Sequence, residues 1–188
     1  QPYYSTASNA VVFSGAQVMT CPLSASSTIE TCFFVFSTTI NKGVLIGAVT
    51  SPGRNIDFYD SYNMRIVQQY NALVLSSTYT FSPNTTVLAT TQTTSTNSYI
   101  FMYGSQTNSN STVANYGTGI TSVIGTNGSD PPVEPFNGPM FEMIIFNTVL
   151  TTAQRQQVEG YLAWKWGTQA SLPGGHLYAS AAPTAPNA

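Results

Sequence analysis

Seven carboxylates, one imidazole and two thiols are the groups from which acid–base, thiol or metal chemistry would have to be built in this 188-residue chain. The acids are Glu30, Asp57, Asp60, Asp130, Glu134, Glu142 and Glu159. A retaining glycosidase needs two carboxyl groups about 5 Å apart on one substrate, which on a strand means alternate positions. The chain has no Glu-x-Asp-x-x-Glu segment. Its nearest approach, Asp57-Phe-Tyr-Asp60, puts the two acids on opposite faces if extended. Catalysis by a carboxylate pair is therefore not expected. His176 has no neighbouring Ser or Cys in a pattern that suggests a triad, so a structural role capping a closing loop is expected of it. Cys21 and Cys32 match no zinc pattern, with no second pair and only one His beside them. They bracket the segment between two expected strands, 9–20 and 31–37. Two alternatives stay open: a disulfide, worth about 2 to 3 kcal/mol in the chain-entropy model, or two buried free thiols.

Composition sets the surroundings of these groups. Only 12 side chains are formally charged, whereas Ser and Thr number 47 and Tyr and Phe number 21. The surface is thus wetted by hydroxyls and amides, and the β-branched and aromatic excess favours strands. Net charge is −2, and Lys42, Arg54, Arg65, Arg155 and Lys165 are scattered singly, which offers no cationic track for phosphates. Nucleic acid is excluded as an expected partner. No apolar run approaches the roughly 20 residues that span a bilayer, and the N-terminus lacks a signal-peptide pattern, so no membrane insertion is expected. A start at Gln1 reads as a processed product or part of something longer.

Strand signals recur at short intervals between Gly, Pro, Asn and Ser clusters, the pattern of an all-β sandwich or barrel. About ten strands are expected, including 32–36, 43–49, 55–59, 64–67, 86–90, 99–103 and 140–146. The Thr-rich run 85–97 reads as a solvated strand plus loop. One helix follows. Thr151 and Gln154 form a capping box, and Gly167 supplies the left-handed stop. Val158, Tyr161, Leu162 and Trp166 form its apolar stripe, and Lys165 falls on the same stripe, its aliphatic stem expected to cover the sheet while its ammonium reaches water or a carboxylate such as Glu142. Residues 1–178 make one domain, a normal length for a single sandwich. The segment 179–188, built from Ala, Pro, Ser, Thr and Asn, is a tail or linker.

The stretch Phe136 to Gly167, a turn, strand and capped helix, followed by Leu172-Pro-Gly-Gly-His-Leu-Tyr178, resembles the C-terminal end of concanavalin A-like (laminin G-like) jelly-roll domains, particularly those of large DNA viruses and phages. A fainter likeness covers 9–36, where Val11-Val-Phe-Ser-Gly15 leads into Phe33-Phe-Val-Phe. Two features depart from the family: an upstream Trp-Leu-Asp-Ala-type strand is missing, and the final His-Pro-Tyr is replaced by His176-Leu177-Tyr178. The resemblance implies an all-β, two-sheet antiparallel jelly-roll sandwich with one short C-terminal helix packed on it.

It also implies candidate sites. Calcium is the one cofactor to consider, since relatives hold it at the sandwich rim. Asp57, Asp60 and Asn63, or Asn127, Asp130 and Glu134, are the oxygen donors in turn-like sequence. Sugar binding needs aromatic faces and hydrogen-bonding amides or hydroxyls. Tyr59, Tyr62, Tyr103 and Tyr116 are the leading candidates among the tyrosines, with Tyr70, Tyr79 and Tyr99 behind them, while Trp164 is expected to pack under a loop. Asn84, Asn110 and Asn127 head glycosylation sequons in expected loops. The resulting expectation is a non-catalytic module of a virion or extracellular surface protein, serving attachment or glycan recognition and partnered by glycans, by other surface proteins or by its own copies. The alternatives are a structural capsid or fibre component and, last, a polysaccharide-cleaving enzyme.

Overall fold

The computed structural model describes residues 1–15, 17–21, 30–48, 54–60, 62–68, 72–113, 122–127 and 134–184. Among them, thirteen strands form two antiparallel sheets. In chain order these are β1 (Tyr3–Ser5), β2 (Ala10–Ser14), β3 (Met19–Cys21), β4 (Glu30–Phe36), β5 (Gly43–Ala48), β6 (Arg54–Tyr59), β7 (Asn63–Gln68), β8 (Ala72–Thr80), β9 (Val87–Thr93), β10 (Ser98–Met102), β11 (Ser105–Asn110), β12 (Ser122–Ile124) and β13 (Asn137–Phe146). One sheet has the order β1-β2-β13-β4-β9-β10-β11, the other β3-β12-β5-β6-β7-β8. Between them lies a phenylalanine cluster in which Phe36 stacks on Phe58 at 5.6 Å and meets Phe81 and Phe136 edge-on at 5.6 and 6.0 Å. Such geometries add to the burial energy of the rings. Among the described residues, no helix is long and apolar enough to cross a membrane.

The expected strand 9–20 is two strands in different sheets. Gly15 adopts φ +78°, a conformation that L side chains resist, and breaks the run between β2 in one sheet and β3 in the other. The same break separates the two thiols. Cys21 sits on β3 of the six-stranded sheet and Cys32 is buried on β4 of the seven-stranded sheet, and both are free, so the disulfide expectation is corrected in favour of free cysteines. Cys32 Sγ donates to Glu30 Oε1 at 3.2 Å, and burial together with Glu30 pushes its thiol up. At the other end of the seven-stranded sheet Gly138, at φ +142°, lies so close to Ser37 that a Cβ would come within 2.1 Å of its carbonyl oxygen.

The helix α1 (Thr152–Lys165) begins with the expected capping box between Thr151 and Gln154, and Gly167 takes φ +74° just beyond it. Its buried face differs from the expected stripe. Arg155, Glu159, Gly160, Leu162 and Ala163 are buried, Val158 and Trp166 are half-buried, and Tyr161 is 43% exposed. The reason is that the sheet beneath is polar. Every residue of β9 is buried, so the Thr-rich run is not a solvated strand. Thr90 Oγ1 donates to Glu159 Oε1 at 3.0 Å and Gln92 Nε2 to the Leu150 carbonyl at 2.8 Å. Buried hydroxyls and amides require partners: the helix supplies Thr90 with the Glu159 carboxylate, and the residue before its cap supplies Gln92 with a carbonyl.

Lys165 does reach Glu142, at 2.9 Å, and also donates to the Tyr161 hydroxyl at 2.8 Å. Lys165 is 40% exposed in this pair, and exposed pairs contribute about 0 to 1 kcal/mol. Lys165→Met is therefore expected to melt within about 2 °C of wild type by differential scanning fluorimetry; a drop of 5 °C or more would show that the ion pair, not the aliphatic stem, holds α1 down.

Candidate functional site

With so few charges, their distribution is informative. Glu30 is buried beside Cys32, Arg155 and Glu159 are buried under α1 with His176, and Glu142 pairs with Lys165 at the helix edge. Five more, Lys42, Asp57, Asp60, Arg65 and Glu134, gather around one end of the six-stranded sheet. Arg65 Nε and Nη2 donate to the two Asp57 carboxylate oxygens at 2.7 and 2.9 Å across the β6–β7 pair. The Arg65 guanidinium lies 4.2 Å from the centre of the Tyr59 ring, and Lys42 Nζ lies 5.7 Å from the same ring. Burial pushes the Asp57 carboxyl up to about 6; the hydrogen bonds and charge of Arg65 oppose that shift, and the charge of Glu134 adds to it.

Beside this cluster is a surface depression of about 320 Å³ lined by Gly15, Ile40, Asn41, Lys42, Glu134, Pro135 and Asn137. Three segments build it: the turn after β2, the β4–β5 connection and the residues entering β13. Ile40 and Pro135 supply apolar surface, and Gly15 presents no side chain. Asn41, Lys42, Glu134 and Asn137 supply polar ends, and among the described residues none of these four side chains has a hydrogen bond or ion pair of its own. Glu134 is held at φ +53°, and Asp60 and Tyr62, in the connection from β6 to β7, adopt φ +36° and +58°. Half of the six non-glycine residues with positive φ among those described thus cluster at this end of the sandwich. Such conformations cost about 1 to 3 kcal/mol each and persist only where neighbours enforce them, commonly at binding sites.

The expected binding residues are distributed unevenly about this depression. Tyr59 and Tyr62 are both nearby and half-buried; the Tyr62 hydroxyl donates to the Thr39 carbonyl at 3.2 Å and its ring meets Phe81. Tyr103 is not available. It is 7% exposed, its hydroxyl donates to the Thr86 carbonyl at 3.0 Å, and burial pushes that hydroxyl up to about 12. Tyr116 and Tyr70 lie outside the described residues. Of the calcium donors, Asp57 has both oxygens engaged by Arg65, Asp60 is exposed in its turn, and Asp130 lies outside the described residues. No three acidic, His or Cys side chains come together to hold a metal among the described residues. Asn63 accepts from Thr80 Oγ1 at 2.8 Å. Asn84 is exposed in a turn at φ +59°, whereas Asn110 and Asn127 are half-buried. Trp164 lies on the surface with its indole N–H donating to the Tyr178 carbonyl at 2.9 Å, so it fastens the C-terminal loop from outside instead of packing under it. His176 is buried in that loop, within 3.3 Å of Glu159 Oε2 through Nε2 and accepting from the Tyr178 amide at Nδ1.

Lys42, Asn41, Asn137, Ile40 and Pro135 were not foreseen as site residues, and Glu134 was foreseen only as a calcium donor. Each belongs to an ordinary turn sequence, and three distant segments must fold before they share a depression.

No family profile matches the sequence, and no curated protein is significantly similar to it. Solved structures are similar in fold. The native heptameric SAP-like pentraxin of Limulus polyphemus superposes with a TM-score of 0.62 at 17% identity, covering 79% of this chain and 80% of that one. The CBM40 of the Ruminococcus gnavus IT-sialidase, bound to α2,3-sialyllactose, gives 0.63 at 13% identity over 76% and 92%. The fold is a concanavalin A-like jelly roll. A third jelly roll, domain 4 of the extracellular GH43 arabinanase AbnA from Geobacillus stearothermophilus in complex with arabinotriose, gives 0.62 at 15% identity over 77% of this chain and 73% of that one.

Proposed function

We propose that this jelly roll is a non-catalytic glycan-recognition module displayed on an extracellular or virion surface, and that the depression between Ile40, Asn41, Lys42, Glu134, Pro135 and Asn137 is its binding site. The observation that carries this reading is the lining itself: an apolar floor with four polar side chains whose hydrogen-bonding ends are otherwise unused. Ligand sites combine mainly apolar walls with a few convergent polar groups, and a pyranose offers both a C–H face and hydroxyls. Two of the similar structures were solved with oligosaccharides, sialyllactose and arabinotriose, which supports the same class of ligand. A two-carboxylate hydrolysis needs a second acid facing the same bond; Glu134 is the one carboxylate in the lining among the described residues, which supports binding without cleavage. Display on a virion is supported by the likeness of Phe136 to Gly167 to jelly rolls of large DNA viruses and phages.

A glycan array probed with the wild-type domain and with Asn41→Ala/Asn137→Ala tests this reading. Removing two amides that each contribute about 1 kcal/mol of net hydrogen bonding is expected to weaken the best-bound glycan about tenfold or more, with melting temperature unchanged. An array with no glycan retained by wild type, or retention that the double variant leaves intact, would overturn the assignment.

A further inference from the structure

The depression holds two opposite charges that do not pair. Lys42 and Glu134 line it together, yet no ion pair joins them, and neither has another ionic partner among the described residues. Both are kept in place by the framework. The Lys42 ammonium leans toward the Tyr59 ring, already stacked under Arg65, where cation–π attraction favours it. Glu134 is fixed by its backbone: its carbonyl accepts from the Val44 amide at 3.0 Å, the next residue, Pro135, bridges to Val44, and Phe136 N donates to the Gly125 carbonyl at 2.8 Å.

An ammonium only donates hydrogen bonds and an ionised carboxylate only accepts them, whereas a hydroxyl does both. A pair of adjacent hydroxyls therefore suits both groups, one donating to Glu134 and its neighbour accepting from Lys42, with each bond strengthened by the charge. A ligand carboxylate that pairs with Lys42 is opposed by Glu134 in the same depression, and a ligand ammonium that pairs with Glu134 is opposed by Lys42, so a single charge of either sign is penalised by its like-charged neighbour. We infer that the depression is selective for uncharged sugars and reads a vicinal diol through Glu134 and Lys42, with Ile40 and Pro135 under the C–H face; this rests on the glycan-binding assignment above.

The test is a glycan array carrying neutral, uronate-containing, sialylated and free-amine oligosaccharides, probed with wild type, Glu134→Gln and Lys42→Gln. The expected result is retention of neutral glycans, reduced tenfold or more by each variant at unchanged melting temperature. Mono-O-methylation of the hydroxyl that donates to Glu134 should abolish binding, because an ether oxygen can accept a hydrogen bond but not donate one. Preferential retention of a charged class, or neutral binding that both variants leave unchanged, would overturn the diol selectivity while leaving glycan recognition in place. An absence of retention for every class would overturn that recognition, and this inference with it.

Discussion

Glu159→Ala is expected to lower the melting temperature by about 10 °C. Glu159 is fully buried and takes four contacts: two from Arg155 Nη1 at 2.7 Å, one from Thr90 Oγ1 at 3.0 Å, and His176 Nε2 at 3.3 Å. Truncating it leaves the buried Arg155 guanidinium, which lies 3.7 Å from the Phe101 ring centre, with no counter-charge. Breaking a buried pair from one side costs about 3 to 5 kcal/mol, and in a chain of this size each kcal/mol moves the midpoint by about 2 to 4 °C. The loss would come from the stranded cation more than from the pair's own net attraction. Arg155→Met/Glu159→Leu, which removes both charges and refills the volume, is therefore expected to recover most of it. A Glu159→Ala midpoint within 3 °C of wild type, by scanning calorimetry, would show that Arg155 finds water or another partner.

The second large effect is a pH dependence centred on Glu30. Burial pushes its carboxyl up to about 8 from an ordinary value of 4.5, partly offset by the hydrogen bond from Cys32. Between those two values the folded state holds a proton that the unfolded state has released. Stability therefore falls as pH rises toward 8. Asp57, raised from 3.8 to about 6, acts with the same sign but at lower pH, so the interval from pH 6 to 8 isolates Glu30. Across that interval the Glu30 contribution is expected to drop by about 2 kcal/mol. Glu30→Gln keeps the shape and removes the titration. Urea denaturation of both proteins at pH 6, 7 and 8 should show wild type losing about 2 kcal/mol relative to the variant over that interval; parallel curves would mean that Glu30 is ionised in the folded protein.

Both effects arise where local pattern and tertiary environment disagree. The periodicity of 151–167 located the helix, its capping box and its glycine stop, because those depend on neighbours within four residues. The same periodicity chose Tyr161 for the buried stripe over Arg155 and Glu159. An apolar stripe is a sound guide only when the surface beneath is apolar, and here β9 presents Thr90 to the helix, so Glu159 faces inward and accepts from it. The Thr-rich strand β9 is buried for the same reason: a threonine's methyl packs and its hydroxyl bonds, and which it does depends on the opposite layer.

Sandwich class was legible, since β-branched and aromatic runs between turn residues depend on local preference. About ten strands were expected and thirteen are present among the described residues, the short or polar β1, β3 and β11 carrying too weak a local signal. Sheet membership was not legible. Gly15 sends β2 and β3 to different sheets, and that one backbone turn settles the fate of the two thiols. Of the foreseen site residues, Tyr59 and Tyr62 lie by the depression because the β6–β7 connection is local, whereas Tyr103 was lost to the core once β10 was buried. The depression itself joins residues 15, 40–42, 134, 135 and 137, whose proximity follows from strand order in the folded sheets. Short-range preference wrote the elements into the chain, and long-range pairing chose which side chains would meet.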